Sequence, residues 1–350
     1  MSVPKSMAFR FLARGLPLMP GIGYRGSRRN LAIIVSHGVY DDAVPPRLKP
    51  PSSAISLTAF TSNVCALQKA FTFISMDEAA SMLSGLSPWR DRCMALTFDD
   101  SLKCLAELVA PKLQSLGVPA TFYLTTAAIE TRQPYWWNRL DFAAACAKGG
   151  KISLTLPADR PFVVDLLSPP SVTALKRALR TCTPAQCHQA ADFIEACLGI
   201  SLAQSLPDYP SADLMSWDDV GSLARMGMTI GSHTVNHANM AATPLEQMTL
   251  ELEQSRQTLE ARVPGACRHF CFPYGAHFDA ACAAVAKTGY VSAVTTVSPG
   301  WNAAGADMFR LNRFQFSADA YKMPYVLSDF ARKAERPPSG AMQTDGPSGL

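Results

Sequence analysis

Nowhere in the 350 residues is there a run approaching the roughly 20 apolar side chains that a membrane-spanning helix needs. The basic residues do not gather into one long stripe, and the net charge is only +4, so the electrostatic footprint of a nucleic-acid binder is missing. Internal repeats are absent. The opening residues carry no secretory pattern, because Lys5, Arg10 and Arg14 interrupt short apolar pieces and no long apolar run or cleavage site follows. The expectation is a cytoplasmic protein. Ten cysteines invite a disulfide reading, yet Cys93, Cys104, Cys146, Cys187, Cys197 and Cys282 fall within apolar stretches, as small hydrophobes would. Free thiols in a reducing compartment are therefore expected. What is present is a composition 48% hydrophobic and 17% charged, which suits a compact protein long enough to bury a large core.

Two terminal segments stand apart. The segment 1–29 combines Phe9, Phe11 and Leu12 with several arginines, which suits either peripheral contact with an anionic membrane surface or an ordinary leading helix and linker. The tail 335–350 lacks any apolar period and is expected to be disordered.

Between them the chain alternates. "NLAIIVSHGV" (30–39) is a continuous apolar run ending in polar residues, the pattern of a strand buried on both faces. "RCMALTFDDS" (92–101) is the next strand, and Leu105, Leu108, Val109, Leu113 and Leu116 then recur at helical spacing before Gly117. "PATFYLTT" (119–126) follows, completing a strand–helix–strand unit and implying a parallel sheet with helices outside. Ser216 is placed to cap a helix ahead of "MTIGSH", and a long helix is expected from about Pro244 to Arg262. "HFCFPYG", "VSAVTT" and "RLNRFQF" supply three more strand candidates. The seven runs together suit an α/β fold built on a barrel. Residues 135–215 interrupt the alternation with a hairpin pattern ("KISLTL", "PFVVDL") and a helical pair, read as an α+β insertion on the barrel rim.

Ligands in parallel α/β folds gather where the strands end. The first strand ends in His37, the second in Asp99 and Asp100, a later one in "GSHTVNH" with His233 and His237, and another in "PYG" with Tyr274. If the chain turns helically, two histidines four apart point the same way and chelate one metal. Adding an aspartate gives a set that suits catalytic zinc or the facial triad of non-haem iron. Adjacent aspartates repel, so one is expected to bind the metal while the other serves as a base for water. Helix capping would explain one of the carboxylates but not both.

In that order and at those intervals, "TFDD" (97–100), "HTVNH" (233–237) and "FPYG" (272–275) resemble the polysaccharide deacetylases of carbohydrate esterase family 4, the NodB-homology domain. The likeness runs from roughly residue 30 to residue 320, and it implies a distorted seven-stranded (β/α) barrel over 30–330. It also implies Asp99 as the base, Asp100, His233 and His237 as ligands of a divalent metal, most simply zinc, and the Tyr274 N–H as an oxyanion donor. Three departures stand out. Ser101 follows the two aspartates, where glycine is usual. Cys271 stands where an arginine usually pairs with the base; Arg313 is the expected substitute, ahead of Arg310. No leucine-histidine motif supplies the general acid near the C-terminus. His37 is preferred for that role, ahead of His277, and the placement resembles biofilm exopolysaccharide deacetylases whose acid motif is permuted to the N-terminal side. His188 is read as a helix-surface residue.

The expected activity is hydrolytic removal of an acetyl group from an N-acetylated sugar of a glycan or its precursor. The expected partner is thus a carbohydrate, with no nucleic acid. Hydrolysis of another non-peptide C–N bond and a non-catalytic glycan-binding barrel are the alternatives. Trp136 and Trp137 stand either against a sugar ring or within the insertion.

Overall fold

The computed structural model describes residues 29–44, 54–263, 265, 267–296, 300–317 and 327. The N-terminal segment, apart from Arg29, and the 335–350 tail lie outside the described residues.

Seven runs form parallel strands: β1 (Asn30–Ser36), β2 (Cys93–Phe98), β3 (Ala120–Leu124), β4 (Thr229–Ser232), β5 (His269–Cys271), β6 (Ser292–Val294) and β7 (Phe314–Gln315). The first six are neighbours in chain order. The last joins the two edges. Leu311 bridges Val294 of β6, and Phe314 and Gln315 pair with Ile34 and Val35 of β1. The result is the distorted seven-stranded (β/α) barrel that the resemblance implied, closed by its shortest strand.

Every strand but β7 buries both faces, which is why the sequence shows continuous apolar runs rather than alternation. Ala32, Ile34, Met94, Leu96, Phe98, Phe122, Ile230 and Phe270 pack outward in one cluster with Phe60, Leu105, Leu252 and Val285 of the surrounding helices. Phe98 stacks on Phe122 with ring centroids 5.0 Å apart. Each such fully buried side chain contributes roughly 1.5–3 kcal/mol of transfer free energy. The opposite faces, with Leu31, Ile33, Ala95, Tyr123, Cys271 and Val294, form a second cluster in the bore, plugged by Met76, Ala79, Met82 and Leu83 of the helix Met76–Leu83. Gly231 in β4 makes room for that filling, since a Cβ there would lie 2.6 Å from the Tyr123 ring.

The helix ends follow the sequence. Ser216 caps Trp217–Arg225 in a reciprocal box with Asp219, and the long helix spans Leu245–Arg262. Residues 135–215 hold the helix Trp136–Cys146, the antiparallel hairpin of Lys151–Leu156 with Arg160–Asp165, and the helices Pro169–Leu179 and Pro184–Leu198. Leu140, Leu154, Val164, Leu175 and Ile194 give this segment a core of its own. Arg139 is buried there between Glu195 and Asp192. His188 sits half-buried against Arg139 at 3.5 Å, where the apolar pattern had suggested plain helix surface.

All ten cysteines are free. Cys93, Cys187 and Cys282 are buried as their apolar settings implied, whereas Cys146 and Cys197 are exposed. Cys146 ends its helix, and the buried face of Pro184–Leu198 runs through Cys187, Ala191, Ile194 and Glu195 instead. An apolar neighbourhood in sequence does not fix which side of a helix a residue faces. Among the described residues no helix is long and apolar enough to cross a membrane.

Candidate active site

The carboxyl ends of β1, β2, β4 and β5 converge on a cleft of roughly 460 Å³ lined by His37, Asp99, Asp100, His233, His237 and Tyr274. The loops carrying these groups are tied to one another. Asp99 N–H donates to the Ser36 carbonyl, and His233 N–H donates to the Leu124 carbonyl. Ser101, in the place where glycine was expected, is buried. Its N–H donates to the Tyr135 hydroxyl at 3.1 Å, and its Oγ accepts from Thr125 N–H at 3.0 Å, hooking the end of β2 to that of β3. Glu251 on the long helix is also buried; its carboxylate accepts from the backbone N–H groups of Val235 and Asn236 at 2.9 Å each. That carboxylate anchors the turn between the two histidines.

Four non-glycine residues here adopt left-handed backbone: Asp100 (φ 68°), Thr234 (φ 71°), His237 (φ 55°) and Tyr274 (φ 59°). Such conformations cost on the order of 1–2 kcal/mol each and concentrate where function needs them.

Asp100, His233 and His237 form a group of potential ligands, and Asp99, His233 and Cys271 form another. The Asp100 Oδ1 atom lies 3.8 Å from His233 Nε2 and 3.4 Å from His237 Nε2. These gaps are long for hydrogen bonds. They are close to the roughly 3.3–3.4 Å edge expected between two ligands that share one tetrahedral zinc. The protonation states also suit a metal. His233 Nδ1 lies 2.8 Å from the Cys271 carbonyl, which can only accept, so the proton sits on Nδ1 and Nε2 presents its lone pair. Burial, reinforced by His237, pushes the His233 pKa down to about 4, leaving the ring neutral at pH 7. Burial raises the Asp100 carboxyl, but hydrogen bonding and charge from His237, with His37 and His233, outweigh it and hold the group below the usual range. The donor set of one carboxylate and two imidazoles fits a divalent cation.

Asp99 also lines the cleft, but its carboxylate is held separately, by groups that reach it from the bore. Arg313 grips it bidentately, with both guanidinium-to-carboxylate contacts at 2.6 Å. Arg313 is itself fully buried and also donates to the Thr295 carbonyl and Thr97 Oγ1, each at 3.1 Å. Cys271 Sγ lies 3.4 Å from Asp99 and 3.1 Å from Arg313, completing a contact that crosses the barrel from β5 to β2. Burial pushes the Asp99 carboxyl up, but the Arg313 charge and hydrogen bonds win and hold it well below the ordinary value. Arg310 does not reach this carboxylate; it pairs on the outside with Asp279 and Asp307.

His37 lines the cleft, and its Nδ1 is buried without a protein partner. His277 instead turns Nδ1 to the Gly275 carbonyl at 2.8 Å, packs on Phe272, and is not among the cleft-lining residues. The two tryptophans divide. Trp136 is buried, while half-buried Trp137 stacks on Tyr135 with centroids 4.3 Å apart and lies 4.6 Å from the His237 ring.

Sequence reasoning missed three charged cleft residues, Asp141, Lys176 and Arg180, all from the inserted segment. It also missed Glu251, although a signal was available: this acid sits on the same helix face as Met248, Leu252, Ser255 and Leu259. A charge within an apolar stripe needs a partner.

The parallel barrel thus carries acids and histidines together at its mouth. Residues 87–293 match the polysaccharide deacetylase family model, and the chain belongs to that family. Several solved structures share the fold. The deacetylase PplD of Streptococcus pyogenes, in complex with acetate, superposes with a TM-score of 0.58 at 16% identity, covering 85% of this chain and 97% of that one. IcaB from Ammonifex degensii gives 0.55 at 14%, covering 85% and 97%. A de-N-acetylase from Aggregatibacter actinomycetemcomitans gives 0.53 at 14%, covering 83% and 96%. No curated protein matches the chain.

Proposed function

We propose that the protein removes an acetyl group from an N-acetylated sugar of a glycan or glycan precursor, with a divalent metal, zinc by preference, held by Asp100, His233 and His237. The observation that carries the reading is the division of labour between adjacent aspartates. Asp100 faces two imidazoles, while Asp99 is locked ionised by Arg313 beside them. A binding barrel has no use for that second, separately held carboxylate.

A metal bound at these residues supplies Lewis-acid polarisation of the acetyl carbonyl and makes water easier to deprotonate. Asp99 accepts a proton as the water oxygen attacks the carbonyl carbon, and Arg313 keeps the carboxylate in place and charged. The Tyr274 N–H donates to the carbonyl oxygen as it gains negative charge. His37 gives its proton to the sugar nitrogen as the C–N bond breaks, releasing acetate and a free amine. The family match over residues 87–293, which include Asp99, Asp100, His233, His237 and Tyr274, supports a deacetylase reading.

The test is acetate release from N-acetylglucosamine oligomers by the zinc-loaded protein and by Asp99→Asn and His37→Ala. Each variant is expected to lose about 100-fold or more in turnover while retaining its metal. Normal turnover in His37→Ala removes that residue as the acid, and normal turnover in Asp99→Asn removes the base and with it the mechanism.

A further inference from the structure

The charges around the cleft pair off, with one exception. Asp99 is neutralised by Arg313, and Lys176 by Asp141. Asp100 faces the two imidazoles and would be more than balanced by a divalent cation. Among the described residues lining the cleft, Arg180 is the cation without a carboxylate partner. It follows the inserted helix Pro169–Leu179 as its C-terminal cap, exposed, with its carbonyl held by the Asn239 side-chain amide at 2.6 Å. Its guanidinium carbon lies 5.4 Å over the Tyr274 ring, and that ring is 4.7 Å from the ring of His237. An unpaired guanidinium thus stands one aromatic ring away from the candidate metal ligands.

Resting on the deacetylase reading above, we infer that Arg180 recognises an anionic group on the substrate, so the acetamido sugar turned over is one that carries a phosphate or a carboxylate close to the acetylated residue. The guanidinium presents a planar fork of N–H donors suited to either oxyanion. Its stacking on Tyr274 restricts it beforehand, so less freedom is lost on binding. With a divalent cation at Asp100 and the Asp99 and Lys176 charges paired within the protein, a negative substrate group would meet net positive potential at this rim, and a neutral glycan would gain nothing from it. The bland role for Arg180 is to steady Tyr274 by cation–π contact alone. In that case every substrate depends on it equally.

The experiment compares kcat/KM for three acetamido sugars with wild type, Arg180→Ala and Arg180→Lys, all zinc-loaded: neutral tetra-N-acetylchitotetraose, UDP-N-acetylglucosamine, and a hyaluronan tetrasaccharide bearing uronate carboxylates. Wild type is expected to favour at least one anionic substrate, and the one it favours separates phosphate from carboxylate. Arg180→Ala should lower kcat/KM for that substrate by about tenfold to a hundredfold, with the neutral oligomer changed less than about twofold. Arg180→Lys should recover part of the loss, and salt should weaken the anionic preference. Equal losses on all three substrates, no loss on any, or a wild-type preference for the neutral oligomer would overturn the inference while acetate release from that oligomer upholds the deacetylase reading. Acetate from none of the three would bring down both.

Discussion

Replacing Arg313 by alanine perturbs the most heavily buried charge pair in the barrel. Arg313 is fully buried and Asp99 is 3% exposed, and their two contacts are each 2.6 Å. Removing one partner of such a pair leaves the other charge without compensation and costs about 3–5 kcal/mol. Arg313→Ala also strands acceptors at Thr295 and Thr97, which places the loss toward the upper end. Replacing both charges is expected to be far milder, because neither is then left unpaired. The Asp99→Asn/Arg313→Met double variant should recover at least about 2 kcal/mol relative to Arg313→Ala. The sign with pH follows from the depressed Asp99 carboxyl. Its contribution is complete above the ordinary carboxylate range, near 3.9, and is lost as pH falls through the lower folded-state value. The gap between wild type and Arg313→Ala should therefore be full at pH 7 and shrink in acid. Urea unfolding at pH 7 and at successively lower pH measures it. A loss below about 1 kcal/mol at pH 7, or a double variant no more stable than Arg313→Ala, would refute the reasoning.

Glu251→Ala should weaken zinc binding by about 10–100-fold without removing a ligand, because it frees the turn that carries His233 and His237. Competition with a chelator of known affinity measures this, and an unchanged affinity would show that the turn holds itself. Thiol labelling of the native protein near pH 8 should show two fast cysteines, Cys146 and Cys197, which are exposed. Burial raises Cys104 to about 11 and Cys187 and Cys267 to about 12, so these should react only after unfolding, when the count reaches ten. Labelling of Cys271 or Cys187 before unfolding would mean that the bore or the inserted core opens readily.

The barrel was legible because its strands are buried on both faces and so appear as short, continuous apolar runs. Even β7, only Phe314–Gln315, is marked by the alternating pattern of "RLNRFQF" that also sends Arg313 inward. The candidate site was legible for a related reason: parallel strands deliver the residues after them to one end of the barrel, so acids and histidines at successive run ends had to meet. The rim was not. Asp141, Lys176 and Arg180 reach the cleft through the packing of the inserted helices, and no periodicity within 135–215 encodes how that segment sits on the barrel. The exposed Cys146 and Cys197 and the half-buried His188 failed for the same reason, since apolar composition in a short helix leaves its facing undetermined.

The proposed activity depends on one metal held by Asp100, His233 and His237. Its most direct test is a titration of zinc into chelator-stripped protein while acetate release from an N-acetylated sugar is followed, with His237→Ala alongside. Activity should rise from background to a plateau at one zinc per chain, with no rise in the variant. Acetate release that persists in the stripped protein, or that climbs equally in His237→Ala, would contradict it.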